Sequence, residues 1–214
     1  MIPKIPYEVE QLALYRSDPV KFFEDCVFTL DQADKLHPVK QYPAHFPYLR
    51  WLIMEIVNEY LLAAVKHRRL IVTWTGCGVL LWDAMFFEGR FNALVSKKEE
   101  DSDELVRRCK FIYDNIPEEK LPLHPKGSYK YTSFKFEEID SEIKGVAQGP
   151  DQLRQYTCSR VMCDEMAFWP HCRQTFTGLK PTLEGGGKVF LASTRWPGFF
   201  RDIVEDTIDN ELAV

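Results

Sequence analysis

Val161-Met162-Cys163-Asp164-Glu165 is a short apolar run that ends in two adjacent carboxylates. A continuous apolar run bounded by polar residues is the pattern of a strand covered on both faces, as in a parallel sheet between helices. In open α/β sheets ligands bind at the carboxyl ends of the strands, where Asp164 and Glu165 would stand. Two acids there can divide the labour of nucleoside triphosphate hydrolysis. One holds a magnesium-bound water while the other polarises the attacking water. The alternative is a pair of solvated charges opening a loop, and the pair alone does not choose between the two.

Such a pair calls for a phosphate-binding loop earlier in the chain. The regular pattern G-x-x-x-x-G-K-[ST] is absent. Thr75-Gly76-Cys77-Gly78 carries glycines, but Val79-Leu80-Leu81-Trp82 follows in place of a lysine. Two glycines within an apolar helix instead mark close packing of helix on sheet. The better candidate is Lys66-His67-Arg68-Arg69-Leu70-Ile71-Val72-Thr73, eight residues that end in a hydroxyl at the mouth of a helix. Thr73 could coordinate magnesium while backbone N–H groups hold phosphate oxygens, and the cation Lys66 would enter from the opposite end of the loop. The same segment also reads as a surface turn with a solvated basic cluster.

These residues need elements to carry them. Ser17-Asp18-Pro19 predicts a capped helix with Pro in its first turn, running through Phe28. Leu36 to Pro47, with three prolines, reads as an irregular connection. Leu49, Leu52, Ile53, Ile56 and Val57 predict a helix from Tyr48 to about Tyr60, and the apolar run 61–65 either extends it or forms a buried strand. Thr73 to Phe87 reads as a buried helix and Phe91 to Ser96 as a strand. Asp101 is expected to cap a helix bearing Leu105, Val106, Cys109, Ile112 and Tyr113 on one face. Tyr129–Phe136, Ile139–Val146 and Lys188–Ser193 are strand-like, Pro150–Arg154 is a turn or short helix, and Pro197-Gly198 opens a last helix to about Ile208. Strands alternating with helices predict an α/β fold with a mainly parallel sheet.

Composition narrows the class further. A chain of 214 residues with 15 Phe, 9 Tyr and 5 Trp can bury a sizeable core, and its net charge of −5 leaves no global footprint for nucleic acid. No apolar run reaches the ~18 residues of a membrane span, and no signal-peptide pattern opens the chain. The six cysteines form no C-x-x-C pair and read as reduced core residues of a cytosolic protein. A zinc site from Cys158, Cys163, His171 and Cys172 is disfavoured, because strand alternation sends Cys158 and Cys163 to opposite faces.

Taken together the pieces resemble the ATPase domain of the large terminase subunits of tailed bacteriophages. That family has a deviant phosphate loop led by its basic residue, often K-S-R-Q or K-S-R-R running on to T-W. Lys66-His67-Arg68-Arg69 through Thr73-Trp74 is similar to it. Ser96-Lys97-Lys98-Glu99-Glu100-Asp101 with Leu105-Val106 looks like the family's second strand and helix. Gly149 to Arg154 before Ser159–Glu165 resembles the approach to its acidic motif, and Leu191-Ala192-Ser193-Thr194 resembles its coupling motif. Pro43 and Phe46-Pro47-Tyr48-Leu49-Arg50 fit the region that packs near adenine. Two departures stand out. The loop has no glycine, with Ile71 where the second would fall, and the chain ends at Val214, where family members continue into an RNase H-like nuclease domain.

The resemblance implies a P-loop NTPase fold (RecA/ASCE-like), its mainly parallel sheet sandwiched by helices. It implies a helical N-terminal extension or lid at 1–45, the ATPase domain at 46–205 and a stub of linker toward an absent nuclease domain at 206–214. The implied cofactors are ATP and Mg2+. Lys66 contacts the β/γ-phosphates, Thr73 and Asp164 hold magnesium, and Glu165 activates water. Arg68 and Arg69 add charge near the phosphates or pair with surface acids, and Ser193 and Thr194 sense the γ-phosphate. Tyr48 stacks on adenine or belongs to the core, and Arg154 is an arginine finger for a neighbouring subunit or a salt-bridged loop residue. Lys97, Lys98, Arg107 and Arg108 face DNA or form a solvated face. The expected setting is a homo-oligomeric ring at the procapsid portal in the host cytoplasm. Its partners there are double-stranded DNA, the portal protein and the small terminase subunit. The alternative is a nucleotide-binding, ring-forming assembly module with little hydrolysis of its own.

Overall fold

The computed structural model describes residues 6–67, 70–183 and 185–205. Its chain order begins with α1 (Tyr7–Ser17), α2 (Pro19–Cys26), the short strands β1 (Phe28–Leu30) and β2 (Val39–Gln41), α3 (Pro47–Asn58) and β3 (Leu61–Val65). There follow α4 (Val72–Phe86), β4 (Phe91–Ser96), α5 (Glu99–Asp114), β5 (Ser128–Lys130), β6 (Ser133–Phe136) and β7 (Ser141–Ala147). The last elements are β8 (Arg160–Asp164), α6 (Cys172–Leu179), β9 (Lys188–Ser193) and α7 (Phe199–Val204).

Seven strands form one sheet in the order β3-β9-β8-β4-β7-β6-β5. The first five run parallel, and β6 and β5 close the far side as an antiparallel hairpin. Alternation splits each central strand between two cores. Met162, Phe190 and Leu94 face the core under α2, α3, α4 and α5, whereas Val161, Cys163, Val189 and Leu191 face that of α6 and α7. The apolar run before Asp164 is therefore covered on both sides, as its composition predicts.

α4 is buried almost throughout, and its two glycines make that possible. A Cβ on Gly76 would lie 2.4 Å from Met162 Sδ on the sheet, and one on Gly78 would lie 2.5 Å from Phe23 Cζ on α2. These glycines serve packing, as expected, but only Gly76 serves helix on sheet.

A buried ionic group sets the level of β3. Arg160, at the start of β8, donates from Nε to Asp83 Oδ1 at 2.9 Å and from Nη1 to the Ile56 carbonyl at 2.9 Å. Lys188 Nζ donates to the Val57 and Asn58 carbonyls at 2.6 and 2.8 Å. Two cations from the sheet thus satisfy the orphan carbonyls at the end of α3, where no intrahelical donors remain. β3 begins three residues later, with Lys66 at its far end.

Several boundaries differ from the sequence reading. The run 61–65 is a strand, but an edge strand, with Leu61 39 % and Val65 45 % exposed. Helix α2 stops at Cys26, because Phe28 enters β1, which pairs with β2 inside the supposedly irregular stretch. Strands of three residues are too short for periodicity to register. α5 starts at Glu99, so Asp101 lies in its first turn with Glu99 and Glu100, where acids complement the helix dipole, rather than at the cap. Segment 129–136 is a hairpin, with Thr132 left-handed at its turn, and β7 starts only after a tight turn at Glu137–Ile139. α7 is described to Val204; residues 206–214, read as a linker stub, lie outside the described residues. The segment read as an N-terminal extension contributes Tyr15, Phe22, Phe23 and Tyr42 to the main core, and Trp82 Nε1 donates to the Tyr15 carbonyl at 2.7 Å.

Candidate nucleotide site

Three parallel strands end at one edge of the sheet and deliver the site. Val65 pairs with Ser193 and Asp164 with Ala192, so Lys66, Asp164 and Ser193 stand at the same level. The Lys66 backbone N–H donates to the Ser193 carbonyl at 2.8 Å, which extends the β3–β9 pairing by one residue.

The side chains of four predicted residues converge. Lys66, 8 % exposed, donates from Nζ to Asp164 Oδ1 at 2.7 Å and to Thr73 Oγ1 at 2.8 Å. Thr73 Oγ1 also donates to Asp164 Oδ1 at 3.1 Å, and Lys66 Nζ lies 3.1 Å from Glu165 Oε1. The Asp164 side chain is buried, whereas that of Glu165 is 40 % exposed. A buried carboxylate and a hydroxyl thus already converge on a cation, and these are the hard oxygen donors that magnesium shares with substrate phosphates. The donor set fits that metal.

The backbone is shaped to hold this arrangement. Glu165 is left-handed, at φ 52° and ψ 39°. The turn behind it is pinned by three bonds: Trp169 Nε1 to the Asp164 carbonyl at 3.1 Å, Phe168 N to the Glu165 carbonyl at 3.0 Å, and Ala167 N to Ser193 Oγ at 3.1 Å. Ser193 Oγ and the Thr194 N–H each lie 3.4 Å from Glu165 Oε2. An uncommon conformation persists where its surroundings over-determine it, and such positions cluster at functional sites. Next to the pair, burial and the Asp164 charge hold the Cys163 thiol well above the ordinary thiol range, so it stays protonated.

The glycine-free loop reaches its turn in another way. Ile71 precedes α4 at φ 60° and ψ 7°, the left-handed region that favours glycine. For a β-branched residue this costs roughly 1–2 kcal/mol. Its carbonyl accepts from both Thr75 N and Thr75 Oγ1, at 2.9 and 3.0 Å, and Tyr42 Oη lies 2.7 Å from the same hydroxyl. The first turn of α4 is thereby anchored with Thr73 aimed at Asp164. Arg68 and Arg69 lie outside the described residues.

A cavity of about 670 Å³ opens over this cluster, with Lys66, His67, Leu70 to Trp74, Glu165 and Thr194 on one side. The β1–β2 segment supplies the opposite wall through Thr29, Leu30, Asp31, Ala33, Lys40, Gln41 and Pro43, and Arg108 of α5 completes it. Its size is that of a small-molecule site. Tyr48 does not line the cavity; it sits on the first turn of α3, 45 % exposed, its ring 5.9 Å from that of Phe46. Arg154 is also outside it, on a surface turn before β8, 65 % exposed and paired with Asp151 at 2.9 Å. The sequence reading missed the hairpin wall, Arg108 and Trp169. Of that wall only Pro43, which the resemblance put near adenine, stood out in the sequence, because three-residue strands leave no periodic signal. Among the described residues no His, Cys, Asp or Glu cluster of three or more forms a metal site, and all six cysteines are free.

A mainly parallel seven-stranded sheet flanked by helices matches the fold of terminase ATPase domains, which are P-loop NTPase folds. Among solved structures its neighbours are large terminase ATPase domains. The HK97 bacteriophage large terminase superposes with a TM-score of 0.64 at 13% identity over 91% of this chain. The large terminase of a thermophilic bacteriophage gives 0.57 at 10% over 77%. A mutant ATPase domain of the Thermus phage P74-26 large terminase gives 0.53 at 12% over 71% of this chain and 67% of that one. This chain spans 40% of the HK97 protein and 43% of the thermophilic phage protein. At these identities the likeness is one of fold. No protein-family model matches the chain, and no curated protein matches it. No helix among the described residues is long and apolar enough to cross a membrane.

Proposed function

We propose that this chain is the ATPase domain of a viral DNA-packaging motor, hydrolysing ATP with magnesium to drive double-stranded DNA into a capsid. The observation that carries the reading is the convergence of Lys66, Thr73, Asp164 and Glu165 at the mouth of one cavity. Terminase neighbours at the level of fold support the packaging role.

Magnesium, when bound, neutralises charge developing on the transferred phosphoryl group. Thr73 and Asp164 would hold it, and Lys66 would give up its bonds to them and turn its ammonium to the β/γ-phosphates. Glu165, the more exposed acid, orients and deprotonates the attacking water, a contribution worth ~10²–10⁴-fold. Ser193 and Thr194, at the carboxyl end of β9, touch the same carboxylate and so link its state to α7 through residues 195–198. Arg154, outside its own cavity, serves a neighbouring subunit in a homo-oligomeric ring. The portal protein, the small terminase subunit and a site of action in the host cytoplasm at the procapsid portal belong to the same proposal.

Steady-state phosphate release tests it. Lys66→Ala and Glu165→Gln should each lower the rate by at least ~10²-fold, with ATP binding retained in Glu165→Gln. A wild-type rate that survives both changes would sink the assignment. If activity needs portal and DNA, mixing Arg154→Ala with Glu165→Gln subunits should restore part of it, and failure to complement would remove the finger role.

A further inference from the structure

α5 carries two adjacent arginines with different fates. Arg107 is committed to structure: its Nε lies 2.8 Å from Asp103 Oδ2 and donates to Tyr129 Oη at 3.2 Å. Arg108 forms no ion pair with any described residue; its guanidinium carbon stands 5.7 Å from the centre of the Trp74 ring. It is half-buried and lines the nucleotide cavity. A weakly hydrated guanidinium resting on an aromatic face is held in position while its N–H fork stays available, and that fork matches phosphate oxygens in pairs.

The placement of Trp74 says which part of a ligand it meets. Thr73 and Trp74 are successive residues at the start of α4, about 100° apart around the helix. Thr73 faces Lys66 and Asp164, at the hydrolytic end. Trp74 turns the other way, toward Phe111 and Arg108 of α5, opposite the Leu30–Ala33 wall. The cavity therefore has a cation at each end of the α4 N-terminus. The carboxylate on the far wall, Asp31, is engaged in its own turn, its Oδ1 accepting from Ala33 N at 3.0 Å. A phosphate chain reacting beside Glu165 would run its remaining phosphates along the helix start toward Arg108.

We infer that Arg108 is a nucleotide-binding residue that holds the non-reacting phosphates of the nucleoside triphosphate from α5, with Trp74 as its platform. This rests on the ATPase reading of the cavity. It moves Arg108 from a solvated or DNA-facing surface to the nucleotide wall.

Isothermal titration of the 214-residue protein with ATP, ADP and adenosine tests it, using wild type, Arg108→Ala, Arg108→Lys and, as control, Arg107→Ala. Arg108→Ala should weaken ATP and ADP by at least about tenfold, the loss of a charge-assisted hydrogen bond, and Arg108→Lys by less. Adenosine affinity and the Arg107→Ala values should stay within about twofold of wild type. If wild type binds ATP and both Arg108 variants bind it equally well, the inference is wrong and the ATPase reading stands. An equal loss for adenosine overturns the phosphate assignment. So does a loss confined to duplex DNA, read by fluorescence anisotropy. A wild type that binds no nucleotide removes the ATPase reading and this inference together.

Discussion

Lys66 Nζ and Asp164 Oδ1 lie 2.7 Å apart across 98 residues of sequence, both buried, with Thr73 Oγ1 bonded to each. The ammonium stands between the two oxygens that would hold a divalent cation, so lysine and metal compete for one position.

That competition predicts a gain of metal binding on removal of the lysine. In Lys66→Met, titrated with Mn2+ and followed by the loss of the free-ion paramagnetic signal, affinity without nucleotide should rise about tenfold or more over wild type. One unpaired buried charge then has to find a partner. Lys66→Met with Asp164→Asn should lose the gain. An affinity unchanged in Lys66→Met would show that the three side chains do not share a cation position.

Asp83 is the anionic partner of buried Arg160, with side chains 3 % and 10 % exposed, and it also accepts from Asn92 Nδ2 at 3.1 Å. Asp83→Ala strands the guanidinium among the α3 carbonyls. Urea denaturation should show a loss of about 3–5 kcal/mol. Because this group levels β3, Asp83→Ala should also weaken ATP binding in molecules that remain folded.

Gly78 faces Phe23, which is fully buried against the rings of Phe22 and Tyr42 at 6.1 and 4.8 Å. With no room for the ring to withdraw, Gly78→Ala should destabilise the fold by about 1–3 kcal/mol. Phe23→Leu in the same molecule should return part of that loss. A double-mutant cycle with no coupling would refute the contact.

Alkaline pH should unfold the protein early. Burial pushes Cys26 up to about 12 and Cys158 and Cys172 up to about 11, and it raises Tyr15 and Tyr42 above the ordinary phenol range. Above about pH 9 the unfolded chain releases thiol protons that the native state keeps, so it binds fewer protons and stability falls with pH. The melting temperature should be level from about pH 7 to 8.5 and decline from about pH 9 through 11. Native thiols should react with alkylating reagents far more slowly than in urea, since only the thiolate attacks.

Much of the arrangement is legible in the chain. The run Val161–Cys163 predicts a strand covered on both faces because both cores need apolar side chains, and the acids at its end are then at the ligand edge. Thr73 at a helix start and Lys66 after an apolar run are likewise local signals. Hydrophobic pattern and helix punctuation act over a few residues, and those are the distances a sequence displays directly.

The rest depends on what the fold brings together. Nothing around residues 28–41 signals a cavity wall, because β1 and β2 are three-residue strands that acquire meaning only opposite α4. Arg107 and Arg108 look alike in sequence and separate only when Asp103 and Tyr129 take one and Trp74 the other. The left-handed turn at Ile71 runs against its residue type and is held by Thr75 and Tyr42, which lie 33 positions from each other. Local composition determined the sheet, its buried acidic strand and the leading lysine. Tertiary packing decided the far wall of the cavity, the loop's strained turn and which cation is left to meet a ligand, because each is a contact between residues distant in the chain.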